Sequence, residues 1–189
     1  MSHESPLSIN YDKLESLLSA GQWKEADQET NQLLEKIETV ESRKREQDSK
    51  FRASEDIKII DRLWTQASRG HFGFSAQSEI YRSWGGENSL GNTQKQVWTD
   101  FCKEVGWFDK SSTSIFGRGN RKLEPVLDDA ELTFNAQAPR GHLPSFIKRT
   151  KSNQFGIANL KQFANSIDLR AMHSGKGLWD LRQILERLQ

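Results

Sequence analysis

Two histidines, one cysteine and a few clusters of acidic or glycine-flanked basic residues are the candidates for chemistry in this chain. His71 and His142 could ligate a metal or move a proton, but neither has a second His or Cys at ligand spacing beside it. Both are expected to be structural, with His142 fixing a turn inside Pro139-Arg140-Gly141-His142-Leu143-Pro144. Cys102 is the only cysteine. It cannot form an internal disulfide, which fits a reducing compartment, and its position falls on an apolar helical face. Asp128-Asp129 with Glu131 has no paired partner for acid–base work. Gly175-Lys176-Gly177 and Gly117-Arg118-Gly119 lack the full spacing of a phosphate loop. No nucleophile–base pair can be assembled, so the expectation is a non-enzymatic protein with no direct metal site.

Binding chemistry is better represented. Residues 107–144 lose helical periodicity yet hold Trp107, Phe108, Phe116 and Phe134 among short polar and glycine clusters. A long irregular stretch in a compact domain is usually functional, and its aromatics argue that it folds. Positive charge gathers just beyond it. Residues 140–189 hold nine Lys/Arg and three Asp/Glu, a net +6, which leaves −5 on the first 139 residues of a chain whose total is +1. Such a basic quarter suits carboxylate ligands or acidic protein surfaces. Aromatics are not interleaved with the Lys148-Arg149-Thr150-Lys151 cluster as a single-strand nucleic-acid platform requires, so nucleic acid is not the expected partner.

The elements that must position these residues read as helices. Tyr11, Leu14, Leu17 and Leu18 form a stripe after Asn10, a candidate N-cap, and Gly21 suits the exit. Trp23, Ala26, Thr30, Leu33, Leu34 and Ile37 continue at steps of three and four. The pair predicts a helical hairpin turning at Ala20-Gly21. The charged run from Glu41 to Asp56 is expected to be a solvated helix extension or a mobile loop. Ser54 then caps a third helix with Ile57, Ile60, Leu63, Trp64 and Ala67 inside, ending at Arg69-Gly70. Ser75 caps a fourth that buries Ala76, Ile80 and Trp84. Thr93 and Gln96 form a capping-box pattern ahead of Val97, Trp98, Phe101, Cys102 and Val105, and Gly106 ends that helix. Stripes at 157–167 and 178–188 flank a hinge at Ser174-Gly175-Lys176-Gly177. No apolar run reaches the roughly 18 residues of a membrane helix. No secretory signal is visible at the start. A soluble protein of the cytoplasm, or of the plastid stroma, is expected.

Four segments, in order, carry a family resemblance. The first is Leu17-Leu18-Ser19-Ala20-Gly21-Gln22-Trp23-Lys24-Glu25-Ala26-Asp27-Gln28-Glu29-Thr30. The second is Ile60-Asp61-Arg62-Leu63-Trp64 with Gly70-His71-Phe72-Gly73-Phe74-Ser75-Ala76-Gln77. Val105-Gly106-Trp107 follows, and Phe134 with Ala138-Pro139-Arg140-Gly141-His142-Leu143-Pro144 closes the set. Together they resemble the genomes-uncoupled family of tetrapyrrole-binding proteins, over about residues 10–145.

The resemblance implies an all-α, compact cupped helical domain with long aromatic-containing loops. Here that domain would span 10–145, after a tail at 1–9 and before a basic helical extension at 146–189. It implies a ligand, protoporphyrin IX or magnesium protoporphyrin IX, and regulation of magnesium chelatase in chlorophyll biosynthesis. A porphyrin needs an apolar floor and cations for its propionates. The expected ligand residues are Trp107, Phe134, His142 and Leu143 with Arg140, Lys148, Arg149 and Lys151. The chain departs from the family at Glu41–Asp56, where charge replaces an apolar ligand loop, and at Glu124–Asp129, which lacks a tryptophan. A protein-interaction or signalling module on the same fold, with porphyrin binding altered or lost, is the alternative.

Overall fold

The computed structural model describes residues 5–43, 47–86, 92–107 and 132–145, with their side chains except at 41–43, 47–53, 92–95, 98 and 99. The expected stripes at 157–167 and 178–188, their hinge, Lys148, Arg149, Lys151, the acidic group at 128–131 and the side chain of Trp98 lie outside that description. The described residues form five helices and no strand: α1 (Asp12–Ser19), α2 (Trp23–Arg43), α3 (Gln47–Ser68), α4 (Phe74–Ser83) and α5 (Asn92–Glu104). The all-α expectation therefore holds. Contacts divide them into two compact units, one of 5–79 with 134–145 and one of 80–107 with 132–133.

In the first unit α1, α2 and α3 pack pairwise. Most of the stripes expected from spacing supply the core: Leu14 and Leu18, then Ala26, Leu33 and Ile37, then Ile57, Ile60 and Trp64 are all buried. Leu17 and Trp23 are half-buried, and Ala67, expected inside α3, is exposed near the end of that helix. Thr30 lies in the α2 stripe for a polar reason. Its hydroxyl accepts the Trp64 indole N–H at 2.9 Å and donates to the Ala26 carbonyl at 2.9 Å. A buried indole needs such an acceptor. The N-cap position of α1 is Tyr11 rather than Asn10. Asn10, one residue earlier, accepts the Asp12 amide at 2.8 Å, and at the other end of α1 the Gln22 amide reaches back to the Leu17 carbonyl at 2.9 Å.

Three further expectations are corrected. The third helix starts at Gln47, so Ser54 lies inside it rather than at its cap. The stretch Gln47-Asp48-Ser49-Lys50-Phe51-Arg52-Ala53 contains no Gly or Pro and several good helix formers, and solvated charge does not oppose helix. Likewise α5 starts at Asn92, which puts Thr93 inside the helix, and the Gln96 amide reaches forward to Asp100 at 2.7 Å. Trp84 is not core. Because α4 stops at Ser83, the stripe does not extend to Trp84; the indole is 45% exposed and donates to the Glu104 carboxylate at 2.5 Å. The second unit buries Ile80, Tyr81, Val97, Phe101, Cys102, Val105 and Trp107. Phe101 meets Tyr81 and Trp107 edge to face, with centroids 5.8 and 5.7 Å apart. Burial pushes the Cys102 thiol well above its ordinary range, so the thiolate needed for reactivity is suppressed.

Two buried carboxylates of α3 fix the ends of neighbouring segments. Asp56 accepts the Ser5 hydroxyl at 2.5 Å, the Leu7 amide at 3.2 Å and the Tyr11 phenol at 2.5 Å, pinning residues 5–11 to the helix. Burial, and then the bond to Asp56, push the Tyr11 phenol up. Asp61 accepts the Ser75 amide at 2.8 Å and the Ser75 hydroxyl. The N-cap of α4 is thus a side chain from α3, and Ser75 serves it from the first turn. Gly73 makes room: its φ is +114°, and a Cβ there would stand 2.8 Å from the Asp61 carboxylate and 2.9 Å from the Thr65 methyl.

Gly73→Ala is expected to destabilise the fold by about 1–3 kcal/mol in urea titrations, since both backbone and space oppose it. Burial raises the Asp61 carboxyl above the usual range, partly offset by hydrogen bonds from Ser75 and Phe74, with the Glu79 charge adding to the rise. The native state therefore holds this proton more tightly than the unfolded chain. Its contribution to stability is greatest at low pH and falls as pH rises from the ordinary carboxylate value through the raised native one. Asp61→Asn keeps an acceptor for the amides without that ionisation, so its stability relative to wild type should rise across that window. Urea midpoints of the two proteins at stepped pH check the sign.

Candidate functional site

The segment 134–145 is the irregular stretch on which the sequence concentrates binding chemistry, and it is held by hydrogen bonds rather than by regular structure. The Gly73 amide donates to the Leu143 carbonyl at 2.9 Å, and the Gly141 amide donates to the His71 carbonyl at 2.9 Å. His71 Nε2 lies 2.7 Å from the Ala138 carbonyl. Gln77, on α4, donates through Nε2 to the carbonyls of Gly141 and Pro144, each at 2.9 Å. Asp27, on α2, accepts the Ser145 amide at 2.5 Å and the Ser145 hydroxyl at 2.8 Å. The side chain of His71 thus ties residue 138 to the end of α3, and its ring also packs on Phe72 at 4.8 Å.

This clamp sorts the expected ligand residues into two groups. His142 and Leu143 are fully buried, with 1% and 0% exposure, and Trp107 is buried against Phe101 in the second unit. As they stand, these three have no broad face for a flat ligand. Phe134 is half-exposed and Arg140 exposed, so these two reach solvent from the clamped segment. Arg140 is ion-paired with Glu79, itself exposed.

Two residues in the same unit were not singled out by sequence reasoning. Lys24, exposed in the first turn of α2, places its ammonium 5.7 Å from the centroid of the Phe134 ring, within cation–π range. Beside it the half-exposed Trp23 indole stacks on Trp64 at 6.1 Å and meets Phe72 edge to face at 5.4 Å. Asp27 is completely buried. Its signal was present: it stands four residues after Trp23 and three before Thr30, on the inner face of α2, where a carboxylate needs a partner. The arrangement is a partly exposed ring with an ammonium over it, on a segment locked from behind. It can receive an aromatic or flat apolar group that carries negative charge. Among the described residues no group of three His, Cys, Asp or Glu side chains is placed to hold a metal ion, and no helix is long and apolar enough to cross a membrane.

Known proteins share this architecture. A family model described as GUN4-like matches residues 4–161. An Arabidopsis thaliana protein named as a chloroplastic tetrapyrrole-binding protein is 30% identical over 138 residues, 71% of this chain and 47% of that protein. A Pyropia yezoensis protein named ycf53 is 30% identical over 147 residues, 75% of this chain and 52% of the other. The chain thus spans about half the length of the curated relatives it matches. Ligand-free GUN4 of Arabidopsis thaliana superposes with a TM-score of 0.51 at 21% identity, covering 100% of this chain and 94% of that one. GUN4 of Chlamydomonas reinhardtii gives 0.51 at 24% identity, covering 87% and 95%.

Removing the Asp27 carboxylate would leave the Ser145 amide and hydroxyl buried without an acceptor. Asp27→Ala is expected to cost about 2–3 kcal/mol of stability, and Ser145→Ala, which keeps the amide bond, about 1 kcal/mol. Chemical denaturation of both variants, with amide exchange at 138–145 as the local readout, tests the order.

Proposed function

The chain belongs to the GUN4-like family, and on that premise we propose that it is a non-enzymatic tetrapyrrole-binding protein. It takes protoporphyrin IX or magnesium protoporphyrin IX and regulates magnesium chelatase in chlorophyll biosynthesis. The observation that carries this reading is the Phe134 face: a half-exposed ring with a lysine ammonium over it, on a segment whose backbone is tied to α2, to α4 and to the turn between α3 and α4. A porphyrin asks for that pairing of aromatic surface and cation. The printed name of the Arabidopsis relative agrees with it. In this reading residues 10–145 form the ligand domain. Phe134 contacts the macrocycle, while Arg140, Lys148, Arg149 and Lys151 serve the propionates, the last three from the basic extension at 146–189. His142 and Leu143 act from behind, as packing that shapes the surface, and Trp107 packs within the second unit. The protein works in solution, in the cytoplasm or plastid stroma; the chloroplastic name of that relative and the lack of a membrane-crossing helix among the described residues support this.

One observation favours a second reading, a protein-interaction module with altered ligand preference. Helix α2 runs to Arg43 and α3 starts at Gln47. The charged run that replaces the family's apolar ligand loop is therefore largely helical, which suits contact with a charged partner surface.

Titration of the purified chain with protoporphyrin IX and its magnesium complex, followed by tryptophan quenching and the Soret shift, decides between them. Saturable binding at micromolar concentration or tighter is expected. Phe134→Ala should weaken it by up to roughly tenfold, the scale of an aromatic contact. Combining that change with Arg149→Ala and Lys151→Ala should weaken it further. No spectral change at tens of micromolar would leave the interaction module as the reading.

A further inference from the structure

We infer that Lys24 is a ligand-binding residue of the Phe134 surface, the cation that takes a carboxylate arm of the bound molecule. The inference rests on the tetrapyrrole reading and deepens it. Lys24 and Arg140 are both exposed cations of this surface, and they differ in what already satisfies them. Arg140 is paired with Glu79, so a ligand carboxylate must compete with a protein carboxylate for it. Lys24 makes no ion pair among the described residues; its recorded contact is the face of Phe134 at 5.7 Å. A ring quadrupole compensates an ammonium far less than a carboxylate does at an exposed site.

Lys24 also stands where stability does not ask for a cation. It lies in the first turn of α2, the positive end of the helix dipole, where acidic residues are favoured. A flat aromatic ligand arriving on Phe134 takes the ring face from the ammonium. The flexible four-carbon stem then lets that charge swing to a carboxylate at the ligand's edge while both groups stay in contact with the surface. The same group thus covers an exposed ring in the free protein and neutralises the ligand's charge in the bound one.

The test compares protoporphyrin IX with its dimethyl ester, which keeps the macrocycle and removes both charges. Lys24→Met should weaken the diacid about threefold to fivefold, the scale of a solvent-exposed charge pair, and leave the ester unchanged or tighter. Lys24→Glu should weaken the diacid more, Lys24→Arg should retain it, and added salt should erase the difference between wild type and Lys24→Met. Lys58→Met, which removes a helix lysine paired with Glu55, controls for overall charge. Equal diacid affinity in Lys24→Met and wild type, or an equal loss in Lys58→Met, would overturn the inference while the tetrapyrrole reading stands. If wild type binds neither compound, both fall together.

Discussion

A carboxylate taken out of water has to find hydrogen-bond donors, and in the first unit of this protein Asp27, Asp56 and Asp61 meet that demand with donors from another part of the chain. Asp27 takes the amide and hydroxyl of Ser145, Asp56 takes Ser5, Leu7 and Tyr11, and Asp61 takes the amide and hydroxyl of Ser75. Each acid sits on a long helix whose position the apolar core already sets. Each donor sits on a segment that has little periodicity of its own, or at a helix end that needs a cap. The desolvated charge is what converts a helix surface into an anchor for irregular backbone, because leaving it unpaired costs more than ordering the segment. Gln77 extends the same logic with a neutral group, giving both amide hydrogens to carbonyls of the 141–144 turn.

The anchors determine which residues the 134–145 segment can offer to a ligand. With its carbonyls and amides committed to His71, Gly73 and Gln77, the segment turns His142 and Leu143 inward, and Phe134 and Arg140 stay in reach of solvent. On the reading proposed above, affinity for a flat acidic ligand would depend on a small number of groups placed by the scaffold rather than on a continuous greasy lining.

The second unit follows a different principle. Phe101 meets Tyr81 and Trp107 edge to face, and burial holds the Cys102 thiol well above its ordinary range. It reads as packing. Trp84 is the exception, an indole on the surface because α4 ends one residue too early to carry it inward.

By itself the sequence determined the helices, because apolar residues at steps of three and four leave a helix one way to bury them; Leu14, Leu33, Ile60 and Phe101 all lie inside as their spacing requires. Glycine at 21, 70 and 106 marked three exits for equally local reasons. The family motifs pointed to the segment at 134–145. Helix starts were read less well, because a cap can come from far away: α4 is capped by Asp61, which no window around Ser75 contains. Only the tertiary structure decided which motif residues face solvent and which charges are already spent. Asp27 and Ser145 meet across 118 positions, Arg140 and Glu79 across 61, and Lys24 finds Phe134 from the start of another helix. Periodicity reports the face of one element; the partner of a buried acid or an exposed lysine is set by how elements meet, and that information is spread over the whole fold.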